Sequence, residues 1–468
     1  MSAPFSTSDA TSWCRAQTRG LKSALFSSVT IDSRSVHPGA LFVAIRGPRH
    51  DGHRFIDQAT QAGACGVLVE RDRAGSFDAA TELAILEVED TTRALGDLAH
   101  GHRGEFRGPV LAISGSSGKT TTKDMAAAIL SEEKPCLKTT GNLNNEYGLP
   151  LTLLEREARH ESIVLELGMN HRGEIARLAE IAEPHIGLLT NVGTAHIEFL
   201  GSQENIALEK GDLFASLPEK GVAAINLEDP LVVSQAKRAC CARLGYGFGE
   251  AADVRASNLR FSPSPSPEVR FDLTIESQTA EVRVHGLGET TARNALAAAT
   301  LARAADVSLT RIVSGLANYR PPRGRMTALL VRPGITLIDD SYNANPESLE
   351  AALGTLAHLA KQGRSLAVLG DMNELGDHAL EQHRAAGRRV QELGIDCLFT
   401  LGRFAAEMAH AARTAGMPAS QISETEECEE LIAELRKRAT QGDWILVKGS
   451  RGMHMERVVE ALVPEENR

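Results

Sequence analysis

The segment 115–121, of sequence GSSGKTT, contains the residues of this chain best suited to bind a phosphate. It follows the apolar run Val110–Ile113 and precedes a stretch with helical spacing, which predicts a loop between a strand and a helix. Glycines allow a tight turn that aims backbone N–H groups at an anion, and a helix N-terminus adds positive potential. Lys119 could then reach the outer phosphates of a nucleotide, and the hydroxyl of Thr120 could coordinate Mg²⁺.

This loop departs from the strict phosphate-loop pattern at one position. That pattern has a glycine six residues before the lysine, where this chain has Ile113. Short Gly/Ser segments also form ordinary turns, so a structural turn is the alternative to nucleotide binding. If the loop binds ATP, the expected contacts are Gly115, Ser116, Ser117, Gly118, Lys119, Thr120 and Thr121.

Two further polar side chains follow the next predicted strands and could bind a metal ion. Glu166 ends the run Ile163–Leu167, and His196 follows the run Ile186–Asn191. The carboxyl ends of parallel strands face the ligand crevice, and Mg²⁺ prefers hard oxygen ligands. A single polar residue at a strand end is usually an ordinary loop residue. Two of them downstream of a phosphate loop favour a metal site.

Three other charged residues have weaker signals. Lys210 lies in a predicted helix, where a solvated surface lysine is the ordinary alternative. Asp340 ends a predicted strand, and Asp339 and Asp340 could instead cap the helix suggested by NPESLEAAL. Arg325 follows two prolines at a predicted domain junction, where it could contact a phosphate or simply be exposed.

The composition argues against several classes of protein. The 468 residues include 50 basic and 61 acidic ones, and a net charge of −11 does not suit a nucleic-acid surface. No apolar run approaches the roughly 20 residues that span a bilayer, and no secretory signal is visible. We therefore expect a cytoplasmic protein with no membrane insertion and no nucleic-acid partner. The seven scattered cysteines are expected to be free thiols.

The apolar runs divide the chain into three parts, which we predict to be domains at 1–106, 107–320 and 321–468. The second part alternates strand-length apolar runs with amphipathic stretches, as in a parallel α/β sheet. Within it, residues 257–286 alternate apolar and polar positions and predict an antiparallel ribbon. The third part repeats the strand–helix alternation and predicts a second doubly wound unit.

With these motifs, the chain resembles the Mur ligase family, the ATP-dependent amide ligases of bacterial cell-wall precursor synthesis. The resemblance covers nearly the whole chain. It rests on the segments DSRSVHPGALFVAIRG, DGHRFIDQA, GSSGKTTTK, TTGNLNNEYGLPLTLL, ELGMNHRGEI, LLTNVGTAHIEFLGS, IDDSYNANPESLEAAL, LGDMNELG and VKGSRGMHMERVV. GNLNN, ELGMNHRGEI and DDSYNANP resemble the member that joins D-alanyl-D-alanine to UDP-N-acetylmuramoyl-tripeptide.

The resemblance implies a three-domain α/β enzyme. Its smaller N-terminal domain would hold the UDP end of the precursor, and its central phosphate-loop domain would bind ATP. A C-terminal Rossmann-like domain would close over the site and bring the dipeptide. The expected cofactors are ATP and two Mg²⁺ ions, the expected partners are small-molecule substrates, and the expected state is a monomer. The sequence leaves open whether the third residue of the tripeptide is diaminopimelate or lysine.

The resemblance also assigns roles to individual residues. Lys210 matches a lysine that is carbamylated in the family and gives a second magnesium an oxygen ligand. Asn294 matches an adenine contact, and Arg325 and Asp340 match nucleotide contacts from the third domain. The implied metal ligands are Thr120, Glu166, His196 and carbamylated Lys210. The implied catalytic residues are Lys119, Glu166, His196, Lys210 and Arg325. The implied precursor contacts are Ser33, Arg34, Asn142, Asn144, Asn145, Asn170 and Arg172.

One segment differs from the family pattern. The family has Gly-x-His-Asn-x-x-Asn-Ala before an Ala-rich helix, whereas this chain has GETTARNA at 288–295. Thr290 and Thr291 replace the His and the first Asn. A hydroxyl still makes hydrogen bonds but cannot pair bidentately as an amide does, so we expect altered nucleotide affinity with the chemistry retained.

Several alternatives share part of this pattern. Within the family, the rivals are the ligases that add the third residue and folylpolyglutamate synthase. The former carry a DNPR-like motif, which this chain lacks. From other classes, a nucleotide switch or a scaffold would not need Glu166, His196 and Lys210 together.

Overall fold

The computed structural model describes residues 3–21, 23–48, 50–74, 82–262 and 267–465. They form three successive α/β units, each built on its own main sheet. No helix in these ranges is long and apolar enough to cross a membrane. The α/β fold class predicted from the sequence is therefore confirmed.

The first unit is the smallest. Its strands and helices, in chain order, are β1 (Phe5–Ser6), α1 (Thr7–Cys14), β2 (Gln17–Gly20), β3 (Leu25–Phe26), β4 (Ser28–Thr30), β5 (Ala40–Val43), α2 (Ile56–Gln61), β6 (Gly66–Glu70), α3 (Arg71–Ala74), β7 (Ala84–Val88) and α4 (Thr91–Gly104). The sheet has the order β2-β7-β6-β5-β4, parallel except for β2, and β1 pairs separately with β3.

The central unit carries the phosphate loop. Its elements are β8 (Val110–Ser114), α5 (Lys119–Leu130), β9 (Cys136–Lys138), α6 (Gly148–Leu154), β10 (Ser162–Glu166), α7 (Glu174–Ala182), β11 (Ile186–Leu189), α8 (Ile197–Leu200), α9 (Gln203–Ala215), β12 (Val222–Asn226), α10 (Pro230–Gln235), β13 (Ala242–Gly247), β14 (Val254–Ser262), β15 (Glu268–Ile275), β16 (Gln278–His285), α11 (Gly288–Ala304) and α12 (Leu309–Asn318). Its nine strands run in the order β16-β15-β14-β13-β12-β11-β8-β10-β9, and only the β14–β15–β16 pairings are antiparallel.

The third unit is a six-stranded sheet between helices. Its elements are β17 (Thr327–Arg332), β18 (Ile335–Asp340), α13 (Pro346–Leu359), β19 (Ser365–Gly370), α14 (Ala379–Glu392), β20 (Cys397–Leu401), α15 (Ala405–Thr414), β21 (Ile422–Thr425), α16 (Cys428–Arg438), β22 (Trp444–Lys448) and α17 (Glu456–Leu462). The strand order is β17-β18-β22-β19-β20-β21, with β17 alone antiparallel to its neighbour.

Strand β8 is buried on both faces, which explains its continuous apolar sequence. Leu111 and Ile113 pack in one core with Met125 of α5, whereas Val110 and Ala112 belong to the core that includes Leu178 of α7. Each buried Leu or Ile contributes about 1.5–3 kcal/mol to stability. Layers packed on both faces hold the end of β8, and therefore the phosphate loop, in place.

The structure corrects several details of the sequence prediction. Strand β11 ends at Leu189 rather than at Asn191, the last residue of the predicted run, and α11 begins at Gly288, so that it includes the whole GETTARNA segment. The third unit also has an edge strand, β17, before the strand that ends at Asp340, and the apolar pattern did not predict it. The alternation of β17 was hard to recognise because its side chains are half-buried or exposed, and Leu330 is 45% exposed.

The helix after Asp340 is capped by a different residue than the sequence suggested. Asn345 accepts a hydrogen bond from the backbone of Ser348 at 2.8 Å, and Pro346 occupies the first helical turn of α13. The carboxylate of Asp339 instead accepts the N–H of Gly324 at 2.9 Å. The cap interpretation of Asp339 and Asp340 is therefore wrong.

Candidate active site

The phosphate loop joins β8 to α5, and a residue that follows the neighbouring strand β11 stabilises it. Gly115 and Gly118 have φ angles of +145° and +78°, which favour glycine. The Oδ1 of Asn191, just after β11, accepts the N–H of Ser117 at 3.0 Å. Lys119 folds back and donates to the carbonyl of Gly115 at 2.7 Å. The loop is thus shaped by contacts within this unit.

Glu166 lies at the centre of the cleft beside this loop, at the end of β10. It is 3% exposed, and its two oxygens accept hydrogen bonds from Thr120 Oγ1 and Asn144 Nδ2, each at 2.8 Å. Its backbone N–H donates to Thr139 Oγ1 at 3.0 Å, and the carbonyl of Thr139 accepts from the buried Lys123 at 2.7 Å. Glu166 is therefore fixed from both sides.

These oxygens fit a magnesium ion. Mg²⁺ usually binds one or two protein oxygens and keeps the rest of its octahedron for phosphates and water. The hydroxyl of Thr120 and the carboxylate of Glu166 already lie within 2.8 Å of each other. No cluster of three or more His, Cys, Asp or Glu that could hold a metal occurs in the described ranges. Phosphate oxygens and water would complete the coordination of such an ion.

His196 faces the same cleft from the turn before α8. Its Nδ1 lies 2.7 Å from Oε2 of Glu374, a residue of the third unit. The His196 imidazole, aided by the charge of Lys119, holds the pKa of Glu374 below its ordinary value. A negative charge from the third unit therefore lies next to this histidine.

Lys210 lies in α9 and is only 1% exposed, so the surface-lysine interpretation is wrong. Burial, and secondly repulsion from Lys119, lower the pKa of its ammonium well below the ordinary value. The neighbouring Glu209 is fully buried and accepts the N–H groups of Gly173 and Ile175 at 2.8 and 2.9 Å. Glu209 thereby caps the start of α7, at the loop that carries Asn170 and Arg172.

The third unit covers the phosphate loop. Asn345 donates to the carbonyl of Ser116 at 3.2 Å, and Glu347 accepts from the backbone and hydroxyl of Thr194 at 2.6 and 2.9 Å. The guanidinium of Arg325 lies over the ring of Tyr342, 4.2 Å from its centroid. The guanidinium of Arg325 therefore places a positive charge in the wall of the cleft.

Asp340, at the end of β18, also lines the cleft from the third unit. Its carboxylate is paired with the buried Lys448 and accepts the N–H of Met326 at 3.2 Å. Burial raises the pKa of Asp340, and the ammonium of Lys448 opposes that effect. The pair holds the end of β18 against β22.

Helix α11 brings Asn294 against the phosphate loop. Asn294 is 8% exposed, and its Oδ1 lies 3.5 Å from Thr122 Oγ1. Thr291 donates its hydroxyl to the carbonyl of Leu287 at 2.7 Å, within the first turn of the helix. Thr290 and Thr291, the two threonines that depart from the family pattern, both line the cleft.

Most residues predicted from the sequence meet in one cleft of about 480 Å³ between the central and third units. Those that line it are Ser116, Ser117, Gly118, Lys119, Thr120, Thr121, Asn142, Asn144, Asn145, Glu166, Asn170, His196, Asn294, Arg325 and Asp340. Gly115, Lys210 and Arg172 are not among the residues that line it. Asn145 also accepts the N–H of Gly148 at 2.9 Å and so caps α6.

The structure does not bring the predicted contacts of the first unit to this cleft. The hydroxyl of Ser33 donates a hydrogen bond to Oε1 of Gln58 at 3.0 Å. The guanidinium of Arg34 is paired with the carboxylate of Asp32 on the surface. A separate subsite for the far end of a long substrate would be required if these residues bind it.

Sequence reasoning missed several residues of the cleft. Glu374, Asn345 and Lys448 lie in segments that carried the family resemblance, but no spacing showed which of their side chains would face another domain. Tyr319 also lines the cleft, and its buried hydroxyl has no hydrogen-bond partner among the described residues. Lys123 and Glu209 act through buried contacts that only the tertiary structure reveals.

Gly118→Ala should impair nucleotide binding without unfolding the protein. A Cβ at residue 118 would lie 2.5 Å from Oδ1 of Asn294, so Asn294 or the start of α5 must move. We expect ADP to bind roughly 10-fold more weakly or worse, measured by calorimetry. Gly394→Ala is the control, because Gly394 also has a positive φ but open space around it. Unchanged ADP affinity in Gly118→Ala would contradict this assignment.

By fold and cleft alone, the molecule is a phosphate-loop α/β protein of the kind that uses nucleotides, with a third unit docked over the loop. Models of three Mur ligase domains match the sequence. They are the Mur ligase family catalytic domain at 25–103, the middle domain at 113–302 and the glutamate ligase domain at 324–451. The chain therefore belongs to the Mur ligase family.

Curated relatives are similar in sequence to this chain over almost its whole length. UDP-N-acetylmuramoyl-tripeptide–D-alanyl-D-alanine ligase of Escherichia coli K12 is 37% identical over 440 residues, 93% of each chain. The Bacillus subtilis enzyme of the same name is 34% identical over 435 residues, also 93% of each.

Solved structures agree as well. The crystal structure of MurF from Acinetobacter baumannii has a TM-score of 0.88 and 32% identity, covering 98% of this chain and 99% of that one. MurF from Thermotoga maritima in complex with ADP has a TM-score of 0.81 and 30% identity, covering 93% of this chain and 96% of that one. Folylpolyglutamate synthase of Mycobacterium tuberculosis, at 17% identity and a TM-score of 0.60, shares only the fold.

Proposed function

We propose that this chain is the ATP-dependent ligase that joins D-alanyl-D-alanine to UDP-N-acetylmuramoyl-tripeptide. The observation that carries the proposal is the hydrogen bond between Thr120 of the phosphate loop and the buried Glu166, beside Lys119 and under the third unit. This arrangement suits the transfer of a phosphoryl group in a closed cleft. The relatives that share the whole chain are named for this ligation.

The reaction would proceed in two steps. An oxygen of the terminal carboxylate of the tripeptide attacks the γ-phosphorus of ATP, and ADP leaves with the electron pair of the broken P–O bond. The amine of D-alanyl-D-alanine then attacks the carbonyl of the acyl phosphate and loses a proton. Phosphate departs with the former carboxylate oxygen, and an amide remains.

The protein mainly reduces charge repulsion and excludes water. Lys119 and Arg325 would neutralise the triphosphate as the carboxylate approaches. Asn345 and Glu347 hold the third unit against the loop, which keeps water from the reactive acyl phosphate. We propose that Asn294 and Asp340 contact the nucleotide, because both line the cleft near the loop.

Magnesium would be held by Thr120, Glu166 and His196, and a carbamate on Lys210 would give a second ion an oxygen ligand. Bound there, magnesium would polarise the phosphate oxygens. Lys210 is buried, and burial together with repulsion from Lys119 lowers the pKa of its amine, as expected of an amine that reacts with CO₂ to give a carbamate oxygen ligand. Carbamylation requires the neutral amine, which burial favours.

The precursor would extend from the cleft toward the first unit. We propose Asn142, Asn144, Asn145, Asn170 and Arg172 as contacts of its peptide, and Ser33 and Arg34 as contacts of its UDP end. We propose domain limits at 1–106, 107–320 and 321–468, because each of these ranges contains one of the three main sheets. We propose a cytoplasmic location, because the reaction needs ATP and a UDP-linked precursor, and a monomeric state, which rests on the family resemblance.

Phosphate release by the purified protein tests the proposal. With ATP, Mg²⁺ and UDP-N-acetylmuramoyl-tripeptide, release should depend on added D-alanyl-D-alanine. Each of the diaminopimelate and lysine forms of the tripeptide should be supplied in parallel. Release with a free amino acid but not with the dipeptide would contradict the proposed amine substrate.

A further inference from the structure

Glu374 connects the third unit to His196 of the central unit. It follows β19, and its Oε2 lies 2.7 Å from Nδ1 of His196. Its backbone carbonyl also accepts the N–H of Glu198 at 3.4 Å, so the two segments touch through main chain as well. Both His196 and Glu374 line the cleft. The contact is therefore part of the docking between the two units.

Both residues of this contact have unusual backbone conformations. His196 has a φ of +67° and Glu374 a φ of +63°. Left-handed backbone is unfavourable for a residue with a Cβ, and such strain persists where the surrounding structure requires it. Two such residues contact each other where the central and third units meet, which indicates a functional role for the contact.

The contact distinguishes the two ring nitrogens of His196. Among the described residues, Nδ1 has no aligned hydrogen bond, and Glu374 is its charged partner. A histidine that binds a metal through one nitrogen commonly presents the other N–H to a carboxylate, which fixes the tautomer and the ring orientation. Glu374 is in position to act in this way on Nδ1, which leaves Nε2 for an ion.

We propose that Glu374 is a positioning residue that orients His196 so that Nε2 faces a divalent cation. This inference rests on the metal site of the proposed function. Because His196 and Glu374 belong to different units, the imidazole is held only while the third unit is docked. Docking would thereby complete the metal site, and an open enzyme would lack it.

Glu374→Gln tests the proposal with Mn²⁺ as the probe, bound to the full chain with a non-hydrolysable ATP analogue. The amide keeps the size of the side chain but no longer dictates the tautomer of His196. We expect Mn²⁺ to bind roughly 10–100-fold more weakly at the histidine site, with loss of the ¹⁴N coupling of the imidazole in pulsed EPR. Glu424→Gln, which alters a surface carboxylate of the same unit paired with Arg413, is the control.

Unchanged Mn²⁺ affinity and ¹⁴N coupling in Glu374→Gln would overturn the proposal, as would an equal loss in Glu424→Gln. A thermal unfolding curve like that of the unsubstituted protein shows that the variant folds, as expected for a half-exposed side chain. The result is separable from the proposed function. If the unsubstituted protein made no amide but Glu374→Gln still lost Mn²⁺ at the histidine site, the positioning role would stand and the ligase assignment would fall.

Discussion

Lys119→Ala should abolish amide formation while leaving the fold intact. The ammonium of Lys119 lies in the phosphate loop, and burial lowers its pKa while Glu166 opposes that effect. It is the cation best placed to offset the charge that develops on a transferring phosphoryl group, so we expect kcat to fall roughly 10³-fold or more. Phosphate release under saturating substrates measures this effect.

A matched lysine separates this effect from a general loss of positive charge. Lys134 lies just after α5, is exposed and pairs with Glu161. Lys134→Ala should keep the full rate. If Lys119→Ala retained the rate of the unsubstituted protein, the phosphate-loop interpretation would be wrong and the structural-turn alternative would be favoured.

Lys210→Ala should remove most activity and respond to added small carboxylates. A carbamate on Lys210 would supply an anionic oxygen, and alanine leaves a small space that acetate or formate can enter. We expect a loss of roughly 10²-fold, with partial recovery as either carboxylate is added. The same salts should not affect Lys220→Ala, which changes an exposed lysine beyond the end of α9.

The carbamate itself can be observed separately. The ¹³C NMR spectrum of protein equilibrated with ¹³C-bicarbonate should show a carbamate carbon signal that is absent from the spectrum of Lys210→Ala. Full activity of Lys210→Ala without added carboxylate would contradict the carbamate role.

Much of the fold followed from the sequence because its signals are local. The apolar run Val110–Ile113 and the glycines after it mark a strand and a turn whatever lies nearby. Glu166 and His196 could be expected to share an edge, since parallel strands end on the same side of a sheet. Weakly patterned edge strands such as β17 gave no such signal, because few of their side chains are fully buried.

The rest of the site depends on contacts between distant segments. Glu374 and Glu347 acquire their place only when the third unit docks, and no local pattern encodes that docking. Burial of Lys210 was likewise invisible, because a lysine at a helical position is usually solvated. The family resemblance supplied roles for these positions, and those roles remain predictions.

Transfer of ¹⁸O from substrate to phosphate tests the ligase proposal most directly. UDP-N-acetylmuramoyl-tripeptide labelled with ¹⁸O in its terminal carboxylate would be incubated with ATP, Mg²⁺ and D-alanyl-D-alanine. The masses of the released phosphate and of the nucleotide product would then be measured by mass spectrometry. We expect one ¹⁸O in the released phosphate and a nucleotide product with the mass of the pentapeptide. Unlabelled phosphate would mean that water, not the carboxylate, attacked ATP, and would contradict ligation through an acyl phosphate.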